Sequence, residues 1–254
     1  MFKDIYNTLT QFLRTFGAMN LFFIKILQHT PATLLKRFRL VVYQVYNAGA
    51  LSMVIIMVCG LFVGAVLSLQ AYSNLERFNA EDTVGIFVAF ALTKEIGPVI
   101  TALLFAGRAG TTLASEIGLM KATDQLAAME MMAVNPIRRV VVPRFLGGII
   151  SMPILAAVFS MIGLLGAHLV AVDLMGVDVG AFWQQMQQTL EVEDVSEGIV
   201  KSIVFGVVAS LIAVWEGYNA IPTAEGVGRA TTRTVVVTAI AVLILDFMIT
   251  AYLL

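Results

Sequence analysis

Apolar residues in this chain come in long unbroken runs instead of alternating with polar ones. A membrane-crossing helix needs about 20 predominantly apolar residues. Five runs qualify: residues 48–71, 84–106, 145–172, 198–219 and 234–254. The first forty residues follow a different pattern. Ile5, Leu9, Phe12, Leu13 and Phe16 share one helical face, while Lys3, Asp4, Asn7, Gln11 and Arg14 fall elsewhere. That pattern suits a helix lying in the membrane interface, with packing against the bundle as the alternative. The run Leu21–Leu27 is interrupted by Lys25 and too short to cross, and Pro31 is expected to break the helix. The predicted fold is an all-α integral membrane protein. An interfacial amphipathic region over residues 1–40 precedes a transmembrane domain over residues 41–254.

Composition agrees: 59% of residues are hydrophobic and 13% charged, with a mean hydropathy of +0.90. A soluble domain is nearer about 45–50% apolar and about 25% charged. The amphipathic N-terminus lacks the short apolar stretch and small-residue cleavage site of a secretory signal, so none is expected. Cys59, the single cysteine, lies within an apolar run and reads as a core residue. His29 and His168 stand without metal-ligand company, no nucleophile–base pair is evident, and no nucleic-acid partner is expected.

The net charge of −1 hides a steep segregation. Thirteen Lys and Arg residues precede the first run or fall between the second and third or the fourth and fifth. The alternate connections carry only Arg77, and one of them holds Asp173, Asp178, Glu191, Glu193, Asp194 and Glu197. The positive-inside rule then places the N-terminus in the cytoplasm and the C-terminus on the far side. The acidic stretch Glu191–Glu197 reads as a solvated loop, or as a contact for a partner on that side.

Four charges interrupt the apolar runs: Lys94, Glu95, Lys201 and Asp246. A charge inside a bilayer costs from about 2.5 kcal/mol upward and survives when it faces a protein interior or wet cavity with a partner. Lys94 and Glu95 are adjacent, hence about 100° apart on a helix, so each needs its own partner. Depth along the runs allows Lys201 to pair with Asp246 and Glu95 to join them. They are either structural ion pairs, or a polar lining for a transported headgroup, or a proton relay. Gly60 and Gly64 form a G-x-x-x-G pair suited to close helix packing.

Between the second and third runs, residues 111–134 have helix-forming composition, ended by Asn135-Pro136. Leu113, Ile117, Met120, Ala127 and Met131 make an apolar stripe, with Glu116, Asp124 and Glu130 off it. This is either a plain connecting helix or a Met-rich docking surface.

Several long motifs occur in order: Lys94-Glu-Ile-Gly-Pro98, Gly107-Arg-Ala-Gly110, Ala114-Ser-Glu-Ile-Gly-Leu-Met-Lys-Ala-Thr-Asp-Gln, Glu216-Gly-Tyr-Asn and Glu225-Gly-Val-Gly-Arg-Ala-Thr-Thr-Arg233. Together they resemble the MlaE (YrbE-type) family of ABC transporter permeases, from about residue 40 to the C-terminus. The resemblance implies a homodimer in the inner membrane of a Gram-negative bacterium. It pairs with an ATPase (MlaF), a STAS-domain subunit (MlaB) and a hexameric MCE-domain subunit (MlaD). It implies traffic of phospholipid between inner and outer membranes, maintaining outer-membrane lipid asymmetry. ATP and Mg would be bound by the ATPase. This chain carries no G-x-x-x-x-G-K-[ST] motif, no cofactor is expected in it, and it is not expected to be an enzyme.

Within that resemblance the helix after the second run becomes a coupling helix for the ATPase, with Glu116, Gly118 and Asp124 in the signature. The lipid pocket lies at the dimer interface, where Leu67, Gln70, Asn74, Phe78 and Glu95 are the expected lining. Two rival readings remain: a stand-alone proton-coupled transporter using Glu95 and Asp246, and a membrane tether for other proteins.

Overall fold

The structure is a computed structural model describing residues 2–253, with side chains from Thr10 onward except those of Gln11, Phe12, Phe16, Lys36 and Leu253. The described residues are helical apart from short connections, and five helices are long and apolar enough to cross a membrane. The protein is an all-α, multi-pass integral membrane protein. The spans are Arg37–Phe78, Glu81–Ala122, Ile137–Leu174, Val192–Asn219 and Ala224–Tyr252. The count matches the five apolar runs, but most spans begin or end beyond them, because flanking polar residues continue the same helices. Alternating spans define two ends of the bundle. The one near Arg108, Lys121 and Arg138 is called the basic end here, and the one near Asp173 and Glu193 the acidic end.

The first helix, α1 (Phe2–Ala48), departs from expectation. Pro31 sits inside it without ending it, and the kink falls at Arg37, whose backbone leaves the helical region (φ −139°, ψ 32°). Next to Pro31 the Thr30 and Thr33 hydroxyls donate to the carbonyls of Ile26 and His29, local bonds that let a helix tolerate proline. Before the kink Phe22 and Ile26 are buried. Phe22 meets Trp215 edge-on and Tyr218 at a tilt, and Phe23 meets Phe145 edge-on. This stretch therefore packs against the bundle, while Leu21, Ile24, Leu27 and Leu35 stay exposed on its other side. Of the amphipathic face, Leu13 is exposed, whereas Ile5, Leu9, Phe12 and Phe16 lie outside the described side chains.

A short 3-10 turn (Ala50–Ser52) joins α1 to α2 (Met53–Leu75). Across that joint Arg108 donates to the Asn47 carbonyl at 2.7 Å and to Ser52 Oγ at 3.1 Å. The guanidinium thus satisfies a carbonyl that the end of α1 leaves free. The first and third spans run parallel and in close contact. A Cβ on Gly60 would lie 2.8 Å from the Phe159 carbonyl, and one on Gly64 would collide with the Gly163 backbone. The G-x-x-x-G pair is thus a contact between two spans of one chain.

The second span, α3 (Glu81–Ala122), is interrupted by two π turns, Ala91–Ile96 and Ala106–Gly110. The first has a local cause. Pro98 has no N–H, and the Gly97 N–H reaches five residues back to the Leu92 carbonyl. Ser160 of the third span donates to that same carbonyl at 2.9 Å. At 1.5 Å per residue α3 is about 60 Å long, roughly twice the hydrocarbon thickness of a bilayer.

The expected single helix over residues 111–134 is two pieces. Thr111–Ala122 is the end of α3, and α4 (Gln125–Met131) follows a break at Asp124, which adopts a left-handed conformation (φ 55°). Aspartate tolerates that conformation because its short side chain bonds locally. Asn135 then accepts hydrogen bonds from the Ile137 and Arg138 N–H groups, so it starts the third span, α5 (Ile137–Leu174). A short amphipathic helix, α6 (Val179–Thr189), capped by Asp178, buries Phe182 at the acidic end beside His168. The fourth span, α7 (Val192–Asn219), and the fifth, α8 (Ala224–Leu253), complete the bundle.

Candidate functional site

The interrupting charges gather into one cluster on three spans. Lys201 is wholly buried on α7. Its ammonium donates to Glu95 Oε1 at 2.7 Å and to Thr250 Oγ1 at 2.9 Å. Glu197 lies 3.6 Å from it and Asp246 3.9 Å. Thr250 Oγ1 is also 3.2 Å from Glu95 Oε2. Lys94 points the other way around α3, pairing with Asp194 at 3.0 Å and Glu197 at 2.9 Å. Glu197 therefore bridges both lysines.

Geometry explains this arrangement. Asp194, Glu197 and Lys201 are spaced three and four apart, so one face of α7 carries all three. Asp246 and Thr250 repeat that spacing on α8. The π turn puts Lys94 and Glu95 on either side of the α7 face. Gly198 lets α7 approach closely, since a Cβ there would collide with the Thr93 carbonyl.

The acidic stretch is not a loop. Asp194 and Glu197 belong to α7, and Asp194 also closes a capping box by accepting the Glu191 N–H at 2.9 Å. The cluster holds two lysines against four carboxylates, and it sits in the third of the bundle nearest the acidic end.

Beside it is an open cavity of about 510 Å³ lined by Leu75, Thr83, Ile86, Phe87, Phe90, Ala91, Lys94 and Glu95. Its walls are mostly apolar, with the two charges at one side, a composition that suits an amphiphile: alkyl chain on the wall, polar head on the charges. Of the five lining residues expected from sequence, the structure brings only Glu95 to this cavity. Leu67 packs on the core, and Gln70, Asn74 and Phe78 are exposed, Phe78 by 78%. Phe87 and Phe90 of α3 do the lining instead. They lie seven and four residues before Lys94, on a face recoverable from helical spacing.

At the basic end Glu116 forms a two-pronged pair with Arg144, Nη2 at 2.9 Å and Nε at 3.1 Å from Oε2. Gly118 is buried, and its close neighbours are Val227 and Ala220 of this chain. The Lys121 ammonium donates to the Tyr218 carbonyl at 2.9 Å. So this half of the motif locks α3 onto the third, fourth and fifth spans. The other half is free: Asp124 is exposed, Met131 is exposed by 85%, and Met132 by 68%. Among the described residues no group of three or more His, Cys, Asp or Glu could hold a metal ion.

The family model described as "Permease MlaE" matches residues 41–252. An intermembrane phospholipid transport system permease protein of Haemophilus influenzae is 52% identical over 217 residues, covering 85% of this chain and 83% of that one. A probable ABC transporter permease of Rickettsia typhi is 39% identical over 214 residues, 84% of this chain and 83% of its own. One from Synechocystis is 34% identical over 206 residues, 81% and 78% respectively. On the matched span and these identities, the chain belongs to the MlaE permease family of ABC transporters.

Proposed function

We propose that this chain is the membrane subunit of an ABC transporter that moves phospholipid between the inner and outer membranes of a Gram-negative bacterium, maintaining outer-membrane lipid asymmetry. The observation that carries this reading is the 52% identity, over most of both chains, to a permease named for intermembrane phospholipid transport. The cavity supports it: an apolar wall ending at Lys94 and Glu95 offers an acyl chain a dry surface and a headgroup two opposite charges. The cavity is open on its outer side. A second copy, packed on the exposed apolar faces that Phe62 and Val66 present on the first span and Phe247 and Met248 on the fifth, would close it. In that dimer Leu67, Gln70, Asn74 and Phe78 are the positions through which lipid enters.

The positive-inside distribution supports a cytoplasmic basic end, and hence a cytoplasmic N-terminus and periplasmic C-terminus. The ATPase (MlaF, with MlaB) then docks on α4 and the residue after it, where Met131 and Met132 are apolar and unburied. ATP and Mg belong to that subunit, and an MlaD hexamer caps the acidic end. Membership of an ABC family argues against the stand-alone proton-coupled transporter, which needs no ATPase.

Affinity purification of the chain at native expression level, with subunit stoichiometry by mass spectrometry, tests this. One ATPase copy per permease, with an MCE protein in excess, is the expected result. A permease recovered alone, intact and homogeneous, would overturn it.

A further inference from the structure

We propose that the cavity beside Glu95 selects phospholipids by headgroup, favouring a zwitterionic one that carries an ammonium, such as phosphatidylethanolamine, over a purely anionic one, such as phosphatidylglycerol. The inference rests on the cavity being a phospholipid site, and it names Glu95 as the residue that discriminates.

The charges that a headgroup meets there are unequal. Lys201 is wholly buried and already donates to Glu95 and Thr250. Lys94 lines the cavity with 29% of its side chain exposed, but its ammonium is held by Asp194 at 3.0 Å and Glu197 at 2.9 Å. An ammonium has three donors, so one remains. The Glu95 carboxylate lines the same wall with 36% of its side chain exposed. Lys201 lies against its Oε1 and Thr250 Oγ1 is 3.2 Å from its Oε2. A carboxylate has about four acceptor positions, so capacity is left over. The cavity thus offers one donor already tethered to two carboxylates, and one carboxylate with room for a cation.

The surroundings carry the same sign. The cluster sets Lys94 and Lys201 against Glu95, Asp194, Glu197 and Asp246. Leaving out Asp246, which at 3.9 Å is the farthest of the three carboxylates around Lys201, still leaves the sum negative. Toward the acidic end the cavity is lined by Leu75 and Thr83, and the stretch between them holds Glu76, Glu81 and Asp82 against Arg77. Beside apolar walls these charges are screened less than in water. A zwitterionic headgroup answers both wall charges: a phosphate oxygen takes the remaining Lys94 donor, and the ammonium takes the Glu95 carboxylate. The rings of Phe87 and Phe90 add to the attraction for a cation, and Phe90 already lies 5.8 Å from the Lys94 ammonium. An anionic headgroup can also engage Lys94, but it brings no cation to Glu95 and meets a net negative field.

The test uses the full chain in mild-detergent micelles with phospholipids that share one photoreactive acyl chain. Capture is counted where mass spectrometry maps it to the peptide holding Phe87 and Phe90. Three probes are compared at equal mole fraction: phosphatidylethanolamine, phosphatidylglycerol, and N-acetyl-phosphatidylethanolamine, whose ammonium has become a neutral amide. The first should be captured about fivefold more than either of the others, the upper range for a partly exposed charge pair. In Glu95→Gln, measured on its monodisperse fraction, the three captures should converge. Equal capture of the three by wild-type protein, or a preference for phosphatidylglycerol, overturns the selectivity and leaves the cavity standing as a phospholipid site. Capture of none of them overturns both. A full preference retained in Glu95→Gln overturns Glu95 as the discriminating residue. The wild-type comparison needs no variant, so it decides the selectivity whether or not Glu95→Gln folds.

Discussion

Lys201 Nζ lies 2.7 Å from Glu95 Oε1 across 106 residues of sequence, making the fully buried lysine the hub that joins the second, fourth and fifth spans. Three carboxylates and a hydroxyl surround it. Removing this ammonium leaves those carboxylates facing one another in a medium that screens poorly. Breaking a buried pair from one side costs about 3–5 kcal/mol. Lys201→Met should therefore lower the thermal unfolding midpoint strongly, and adding Glu95→Gln to it should restore part of the loss. Glu95→Gln alone should be destabilising, and effects of the two single variants that simply add in the double would show that the two residues are not coupled.

Lys94 should behave differently. It is 29% exposed, and its partners Asp194 and Glu197 sit at the rim of the cluster. An exposed pair is worth about 0–1 kcal/mol. Lys94→Gln should leave the unfolding midpoint nearly unchanged while weakening capture of a photoreactive phospholipid in the cavity. A large loss of stability, or undiminished capture, would contradict that.

The Glu116–Arg144 pair bears on the coupling motif. Glu116→Lys should reduce growth of cells in detergent, through repulsion within this chain. The exchange Glu116→Arg with Arg144→Glu should recover most of it. If the exchange variant is as defective as the single one while the protein remains folded, then Glu116 acts on the ATPase directly.

Met131 supplies the complementary case. It touches little of its own chain, so Met131→Glu should leave stability within about 0.5 kcal/mol. The expected loss is in ATPase co-purification, read by quantitative mass spectrometry. Full retention of the ATPase would place docking elsewhere.

Close packing predicts the last result. Gly64 faces the Gly163 backbone with no room for a methyl group. Gly64→Leu must push the first and third spans apart, and overpacking of this kind costs about 1–3 kcal/mol or more. Its midpoint should fall well below that of Val66→Leu, on the exposed side of the same helix.

The spans were legible because long apolar runs are a coarse signal that survives errors of several residues. The link from Lys201 to both Asp246 and Glu95 followed from depth alone. Asp194 and Glu197 were missed because a dense acidic stretch reads as solvated loop. Their three- and four-residue spacing to Lys201 was the available sign that they ride on α7. Thr250 lay equally open, one turn from Asp246. The break at Asp124 left no such trace, since only backbone conformation separates a helix from a kinked one there. Pro31 misled for the opposite reason. Threonine hydroxyls beside it bond to nearby carbonyls, and packing of Phe22 and Ile26 on the bundle outweighs the local cost. The aromatic face of α3 was not singled out as cavity lining because Phe87 and Phe90 read as ordinary apolar residues of a span; their seven- and four-residue spacing to Lys94 was the available sign.

Glu95 and Glu116 ride on one continuous helix, α3, about 30 Å apart along its axis. One end of this rod is fastened to the neighbouring spans by Arg144, while the other carries the carboxylate that grips Lys201. A tilt imposed at the basic end is therefore delivered to the charge cluster as leverage, with the π turn at Ala106–Gly110 as the one joint between them able to absorb it.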